Sequence, residues 1–263
     1  MTPRTDTMQR WERAEIERSS IEATLTPDQT LRVSAKTLTR YARPPRDTAY
    51  PLEYAYHLLG DIRGQRVVDF GCGSGGNSVL LANRGAHVWG VDISEDLLRL
   101  ARRRLAGNGR DGGAAFLAGS AHDLPFPDQS IDVVFGIAIL HHLDLALVSQ
   151  EVRRVLKPGG RAIFQEPVRN SKVIRFVRGL IPYHAPDISP YERPLTDEQI
   201  EQFARGFSRW SVRAFALPHV QVGQVLPVVR NRIARLYEWD RRLLAAAPWL
   251  ARYASIRVME LVK

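Results

Sequence analysis

The sequence predicts an α/β protein built on a doubly wound, mostly parallel sheet. From residue 65 onwards, short continuous apolar runs alternate with amphipathic segments, which is typical of strands buried on both faces and joined by helical crossovers. The first apolar run, 66–70, leads directly into a glycine-rich stretch. The chain of 263 residues, 44% of them apolar, is long enough for one such domain with additional helices, and its composition argues against fibrous and disordered classes.

Helices are predicted before the sheet. Residues 11–25 carry a loose amphipathic stripe, 31–41 form a second helical segment, and Pro51 opens a third, apolar helix. No strand pattern is obvious in this region. We therefore expect residues 1–62 to form an N-terminal helical cap and residues 63–263 to form the main domain.

The parallel sheet and its crossovers follow in a regular order. Its strands are predicted at 66–70, 86–91, 115–118, 131–135 and 161–165. Helices are expected at 77–83, after an N-cap at Ser94, and at 145–156. The run Lys157-Pro158-Gly159-Gly160 ends the last of these helices and permits the reversal into the fifth strand.

The carboxyl-terminal third adds two strands and a helical insertion. Residues 211–215 and 256–262 suit strands, which brings the expected total to seven. The apolar segment between them is predicted to be helical and to be interrupted by Pro227 and Pro248. A capping box at residues 196–199 predicts a further helix.

Composition restricts the environment and the partners. No run approaches the roughly 20 apolar residues that cross a bilayer, and the first twenty residues lack the apolar centre of a signal peptide, so a cytoplasmic protein is expected. The single cysteine, Cys72, rules out an internal disulfide and a thiolate cluster for zinc, and no metal is expected. The net charge of +9 suits nucleic acid, but the basic residues are interleaved with Asp and Glu, which favours a solvated surface.

The glycine-rich stretch VVDFGCGSGG (67–76) is the most informative part of the chain. Its glycines let the backbone approach a ligand closely, at the point where the first strand passes into a helix. The next strand ends at Asp92, 23 residues beyond Asp69, where an acid can accept both hydroxyls of a ribose. The spacing predicts a cofactor that is a nucleoside derivative.

The glycines alone leave two cofactor classes open. Gly71, Gly73 and Gly76 also satisfy the GxGxxG pattern of dinucleotide sites. However, such a loop cradles a pyrophosphate, beside which the carboxylate of Asp69 is electrostatically unfavourable. A carboxylate at this place suits a ligand with a cationic amino group, such as S-adenosylmethionine.

Several separate blocks resemble the class I S-adenosylmethionine-dependent methyltransferases, in the small-molecule and quinone branch known as methyltransferase type 11. Besides VDFGCGSGG they are GVDIS, GSAHDLPF, SIDVVF, LHHL and LKPGG, which together span about 67–166. The resemblance implies a Rossmann-like, seven-stranded α/β fold. It also implies methyl transfer to an O, N or C atom of a small organic metabolite, with S-adenosylhomocysteine as the product.

The resemblance also implies which residues contact the cofactor. The first group follows the first two strands and consists of Asp69, Gly71, Cys72, Gly73, Gly75, Asp92 and Ile93. Within it, Asp69 would lie near the methionine part, Asp92 would bind the ribose and Ile93 would touch the adenine face. Cys72 is interpreted as a small packing residue.

The second group follows the third and fourth strands. Ala121 would offer its backbone N–H to the adenine edge, and Gly136 with Ile137 would lie beside the sulfonium. Ser120 stands where the family commonly has Asp, so the acceptor for the adenine amino group stays open between Asp123 and a water.

Candidates for catalysis lie at the same edge of the predicted sheet. Methyl transfer is an in-line displacement that chiefly needs alignment, and a base helps oxygen acceptors most. His141 and His142 follow the fourth strand, and His141 is the preferred base; His184 lies in a proline-bearing loop, and Tyr41 could close over the sulfonium. Glu166 could meet a cationic acceptor. Capping or packing is the alternative role for each of these residues.

The acceptor itself stays open. The segments 171–195 and 218–254 are expected to cover the substrate, and the apolar insertion suits either a lipid or quinone tail or simple helix packing. RNA methylation is an alternative that the charge supports. It is opposed by GIAI at 136–139, where base-amino methylases carry Asn or Asp followed by Pro-Pro and an aromatic residue. A non-catalytic protein that binds the cofactor is the third alternative.

Overall fold

The computed structural model describes residues 6–27, 31–110, 112–170, 194–225 and 231–263. Within these residues a seven-stranded sheet forms the centre of the molecule, as the sequence predicts. Its strands are β1 (Arg66–Phe70), β2 (His87–Asp92), β3 (Ala114–Ala118), β4 (Ile131–Ile137), β5 (Leu156–Pro167), β6 (Arg209–Phe215) and β7 (Ile256–Val262). They lie in the order β3-β2-β1-β4-β5-β7-β6.

The strand order indicates where a ligand would bind to this sheet. β1 to β5 pair in parallel, whereas β7 runs antiparallel between β5 and β6. The order reverses between β1 and β4, where Phe70 pairs with Gly136. Ligands of such sheets bind outside the carboxyl ends of the strands at this reversal. On the other side of β1, Asp92 pairs with Ala118, so the loops after four strands meet at one edge.

Helices cover both faces of the sheet. In the described part of the chain the α-helices are α1 (Asp6–Leu25), α2 (Ala35–Ala42), α3 (Pro51–Leu58), α4 (Gly76–Asn83), α5 (Glu95–Gly107), α6 (Leu145–Val155), α7 (Asp197–Ala204), α8 (Pro218–Val225) and α9 (Ile233–Ala246). The hydroxyl of Ser94 accepts from Leu97 N at the start of α5, and Thr196 and Gln199 form the predicted capping box of α7. Polar caps therefore set these helix starts as expected.

The fifth strand begins earlier than predicted. The sequence predicts a separate turn at residues 157–160, but β5 already begins at Leu156. A register shift between Ile131 and Val133 on β4 absorbs the irregular start, and Gly159 adopts a φ of +74°. Gly159 N also donates to Lys263 O, so this segment gains backbone partners that a free turn lacks.

Consecutive strand residues point to opposite faces and build a core on each side. Val68 and Phe164 belong to the cluster that packs with α6 and α7. Val67 and Ile163 belong to the other cluster, which includes the fully buried Tyr56. Since Tyr56 lies in α3, this part of the expected cap contributes to the core of the sheet. The division of the chain at residue 62 stays a prediction.

The insertion before β7 is held against the sheet by one buried acid. Asp240 of α9 accepts from Ala216 N at 3.0 Å and from Leu217 N at 2.7 Å, in the turn that follows β6. α9 ends at Ala246, and a 3₁₀ segment begins at Pro248, as the proline predicts. Pro227 lies outside the described residues. Among the residues described, no helix has both the length and the apolar character needed to cross a membrane.

Candidate active site

A cavity opens at the carboxyl edge of the sheet, where the loops after β1, β2, β3 and β4 meet beneath α1. Six residues predicted from the sequence to contact a cofactor line it: Gly71, Gly73, Asp92, Ile93, Ser120 and Ala121. The fold thus brings together residues from three separate loops of the sequence.

The glycine loop needs its glycines for two different reasons. Gly71, Gly73 and Gly75 all adopt positive φ, at +69°, +49° and +76°. A Cβ on Gly71 would lie 2.7 Å from the side chain of Ile139, and one on Gly75 would lie 2.8 Å from Cβ of Ala101. Around Gly73 no atom lies within 4 Å of such a Cβ. Gly73 therefore leaves open space at the cavity, whereas Gly75 permits α4 and α5 to approach.

Asp92 is fixed as an acceptor at the end of β2. Its carboxylate accepts from Gly73 N and from Ser94 N, both at 2.9 Å. Burial raises the pKa of Asp92, and these backbone donors oppose that rise. The bonds tie the glycine loop to β2 and hold the carboxylate in the cavity wall.

Asp69 and Cys72 lie beneath the loop and not in the cavity wall. Asp69 Oδ2 accepts from Ser78 Oγ at 2.5 Å, and the side chain is fully buried. Burial, reinforced by the charge of Asp92, raises the pKa of Asp69 to about 7. Burial also raises the pKa of the Cys72 thiol, which suits the predicted packing role. The proposed contact of Asp69 with the amino-acid end of a cofactor stays a prediction.

After β4, the residues that line the cavity lie two positions further along the chain than the pair expected from the sequence. Ala138 and Ile139 line the cavity, whereas Gly136 and Ile137 are the last residues of β4 and lie outside the lining. Gly136 faces the ring of Phe164, and a Cβ there would lie 2.6 Å from it. Gly136 therefore serves the packing of the sheet, and the expected place of Gly136 and Ile137 beside the sulfonium stays a prediction.

The two histidines after β4 have different surroundings. His141 is buried, and its Nδ1 lies 2.8 Å from Glu166 Oε2. The other oxygen of Glu166 accepts from Ile139 N and Leu140 N, at 2.9 Å and 2.8 Å. His142 lines the cavity, whereas His141 is not part of the lining. The imidazole rings of the two histidines lie 4.1 Å apart.

Of the two remaining candidates, only Tyr41 belongs to the described residues. The ring of Tyr41 is 4.9 Å from that of Tyr56, where it packs at the edge of the core and not in the cavity wall. His184 lies outside the described residues.

Sequence reasoning missed the contribution of α1. Its residues Glu12, Glu15, Ser19 and Glu22 all line the cavity. They are spaced by three or four positions, so they share one face of a helix. This spacing is a signal in the sequence, although it does not reveal what the face covers.

Comparisons with known proteins agree with this geometry. The family model described as a methyltransferase domain matches residues 68–164. The chain is 43% identical over 111 residues to demethylmenaquinone methyltransferase of Clavibacter sepedonicus, a match that covers 41% of this chain and 43% of the relative. It is 31% identical over 191 residues to 27-O-demethylrifamycin SV methyltransferase of Amycolatopsis mediterranei, covering 61% of this chain and 68% of the relative.

Solved structures share the fold at low identity. An S-adenosylmethionine dependent methyltransferase from Mesorhizobium loti superposes with a TM-score of 0.56 at 22% identity, covering 82% of this chain and 98% of the other. Geranyl diphosphate methyltransferase in complex with GPP and sinefungin gives a TM-score of 0.55 at 20% identity, covering 79% and 76%. From the motif blocks, the strand order and these relatives together, we conclude that the chain belongs to the family of class I S-adenosylmethionine-dependent methyltransferases.

Proposed function

We propose that this chain transfers a methyl group from S-adenosylmethionine to a small organic acceptor, with an oxygen atom as the favoured target over nitrogen or carbon. The observation that carries the proposal is the shared cavity of the glycine loop, Asp92 and the Ser120–Ala121 turn. When bound, the cofactor supplies an electrophilic methyl carbon on a sulfonium.

The residues in the cavity fit such a nucleoside. Asp92 would accept from the two ribose hydroxyls, because its carboxylate is already oriented by Gly73 N and Ser94 N. The open side of Gly73 admits the ligand close to the backbone. Ile93 and Leu97 give the adenine ring an apolar wall.

An oxygen acceptor is favoured by His141 and Glu166. A carboxylate beside Nδ1 holds the imidazole proton on that nitrogen, so the basic lone pair is on Nε2. We propose that His141, whose buried ring lies 4.1 Å from that of the cavity-lining His142, removes the acceptor proton and that Glu166 positions the ring of His141. His142, in the cavity wall, is the alternative base. Roles for Tyr41 and His184 stay predictions.

An apolar acceptor is favoured by the surface of the insertion. Trp239 and Trp249 are 64% and 60% exposed, and Leu243 lies one helical turn beyond Trp239. The relatives include a demethylmenaquinone methyltransferase and a fatty-acid O-methyltransferase of Mycolicibacterium smegmatis, whose names state apolar substrates. We infer a quinone-like or lipid-like acceptor that bears a hydroxyl group. The segments 171–195 and 218–254 are proposed to cover it.

The test has two steps. Calorimetry with S-adenosylhomocysteine comes first, with Asp92→Ala expected to weaken binding by about 100-fold or more and Asp123→Ala, which removes an exposed acid, expected to have no effect. Incubation with methyl-labelled cofactor and a panel of hydroxylated quinones and lipids then identifies the product by mass. Binding of a nicotinamide dinucleotide in place of S-adenosylhomocysteine would refute the proposal. Tight cofactor binding with no transfer across the panel would favour a non-catalytic role.

A further inference from the structure

We propose that Glu12 of α1 accepts the hydrogen bond of the adenine amino group, at the corner of the cavity where the family commonly has an acid at position 120. The inference rests on the proposed use of S-adenosylmethionine and names a cofactor-binding residue that the sequence motifs do not contain.

The position of Glu12 carries the inference. Ser120 Oγ donates to Glu12 Oε1 at 2.9 Å, and both residues line the cavity with Ala121 and Ile93. The Glu12 side chain is 15% exposed, so its carboxylate is held within the cavity wall. Asp123, the alternative acceptor considered from the sequence, is exposed and is not part of the lining. The carboxylate at this corner therefore comes from α1.

A chain of hydrogen bonds fixes the direction in which Ser120 donates. Asp144 N donates to His122 Nε2 at 3.0 Å, so the proton of the neutral imidazole is on Nδ1. His122 Nδ1 lies 3.2 Å from Ser120 Oγ, which accepts that proton and directs its own towards Glu12. Because the serine proton is committed in this way, Glu12 is the group that presents an anionic acceptor at this corner.

The adenine edge needs such an acceptor beside a donor. Its amino group donates a hydrogen bond, and the adjacent ring nitrogen accepts one. Glu12 supplies the acceptor, and the backbone N–H of Ala121, one residue beyond Ser120, is the expected donor. A bond to a carboxylate is roughly twice as strong as one between neutral groups, so a neutral Ser120 alone would be a weaker replacement for the missing acid.

Adenine recognition is then coupled to the docking of α1. The helix contacts the rest of the domain through Ser20 Oγ, which donates to Asp96 Oδ2 at 2.5 Å, and through Glu15, whose Oε2 lies 3.8 Å from His142 Nδ1. A ligand that binds Glu12 only when α1 is docked must favour the docked state. Cofactor binding should therefore protect α1 from proteolysis.

The experiment is a double-mutant cycle between the protein and the ligand. Calorimetry measures the Kd of S-adenosylhomocysteine and of its 6-deamino analogue, which lacks only the amino group. Wild type should bind the analogue about tenfold more weakly or worse, because the amino group donates to a carboxylate. In Glu12→Ala this preference should fall below about threefold. Glu17→Ala removes the same charge from the exposed side of α1 and should keep the wild-type preference.

A second variant tests whether an acid at position 120 can replace Glu12. Glu12→Ala combined with Ser120→Asp places an acid at position 120 and should restore the preference for the amino group. Because the ligand then no longer contacts Glu12 of α1, cofactor binding should not protect α1 from trypsin in this variant. A Glu12→Ala protein that still prefers the amino group tenfold would overturn the assignment of Glu12 and leave the proposed function standing. A wild-type protein that is folded but binds neither ligand would overturn the proposed function, and this inference with it.

Discussion

The buried carboxyl of Asp69 makes the stability of the protein depend on pH. Its pKa is raised to about 7, first by burial and then by the charge of Asp92. Because the folded state binds this proton more tightly than the unfolded chain, the stabilisation is complete below the unfolded pKa near 4 and is lost as pH rises through 7. Asp69→Asn mimics the protonated acid. We expect its Tm to exceed that of wild type by on the order of 5 °C at pH 8 and by clearly less at pH 5, where only the first part of the stabilisation has been lost.

Thermal unfolding at the two pH values measures this difference. Asp123→Asn is the matched control, because Asp123 is exposed and the same change there should leave the Tm unaltered at both values. An equal effect of Asp69→Asn at pH 5 and pH 8 would mean that this carboxyl does not titrate between them.

Glu166 is expected to act on catalysis through the tautomer of His141. In Glu166→Gln the amide oxygen can still accept from Ile139 N and Leu140 N, but its NH₂ group faces His141 Nδ1. The imidazole proton then moves to Nε2, which loses its basic lone pair. With an oxygen acceptor we expect kcat to fall about 100-fold while KM changes little, and the pH profile of kcat to change.

The control for Glu166→Gln is the same substitution at Glu151, a buried acid that does not line the cavity. Glu151 accepts from Leu124 N and pairs with Arg154, so Glu151→Gln should lower stability and leave kcat unchanged. Wild-type kcat in Glu166→Gln would rule out a proton-transfer role for His141.

Individual site residues differed in how far the sequence could predict them. Asp92 and Ala121 could be placed at the cavity from the sequence because they lie at or just beyond the ends of β2 and β3. Glu12 could not be placed there, because its position depends on how α1 docks on a turn 108 residues further along the chain. Gly136 was expected beside the sulfonium; it lies within β4 against the ring of Phe164 and outside the cavity lining, and its contact with a cofactor stays a prediction.

At the scale of elements, two glycines of one loop should respond differently to the same substitution. A methyl group on Gly75 would press against Ala101 and so separate α4 from α5. We expect Gly75→Ala to lower the free energy of unfolding by roughly 2–4 kcal/mol, from overpacking and positive φ together. Gly73→Ala adds strain alone and should lower it by about 1 kcal/mol, while weakening cofactor binding.

Urea unfolding of both variants measures these free energies. The two substitutions share residue type, loop and positive φ, so each is the control of the other. Equal losses of stability would show that the contact between α4 and α5 at Gly75 contributes nothing.

The insertion depends on Asp240 for its attachment to the sheet. Asp240→Ala would leave Ala216 N and Leu217 N buried without their acceptor, and we expect a loss of roughly 2–4 kcal/mol in the free energy of unfolding. Glu238→Ala on the same helix removes only solvent-exposed ion pairs with Arg241 and Arg242 and should lower stability far less, because such pairs are screened by water. Urea unfolding distinguishes them, and equal costs would contradict a special role for Asp240.

Element boundaries followed local signals where these existed. Ser94 and the capping box at Thr196 fixed helix starts, because the side chain that satisfies the first N–H groups is itself in the sequence. The start of β5 was misjudged because backbone bonds to β4 and to Lys263, both distant along the chain, extend it through Gly159. Such pairing leaves no local pattern.

At the scale of the whole molecule, alternating apolar runs predicted the parallel part of the sheet. Buried parallel strands need apolar residues on both faces, which makes them recognisable in sequence. The antiparallel placement of β7 between β5 and β6 has no comparable signal, because strand direction depends on the path of the preceding insertion. The family resemblance implied the number of strands, and the strand order now places the site at the reversal between β1 and β4.

The net charge of +9 supports the alternative that the acceptor is RNA. The distribution of ion pairs argues against that alternative. Arg257 pairs with Asp197 and Arg154 with Glu151, on different elements and not along one continuous surface. We therefore expect only nonspecific attraction to RNA, in which phosphate contacts dominate and affinity falls steeply with salt.

Fluorescence anisotropy with a single-stranded RNA at about 50 mM and about 200 mM salt measures this dependence, since several phosphate contacts lose a thousandfold or more over that range. We expect the signal at low salt to disappear at high salt, with no methyl group transferred to the RNA at either. Uncharged hydroxylated quinones are the matched acceptors, because their methylation should persist across the same range of salt. Binding to RNA that survives high salt, together with label appearing in the RNA, would replace the small-molecule acceptor with a nucleic acid.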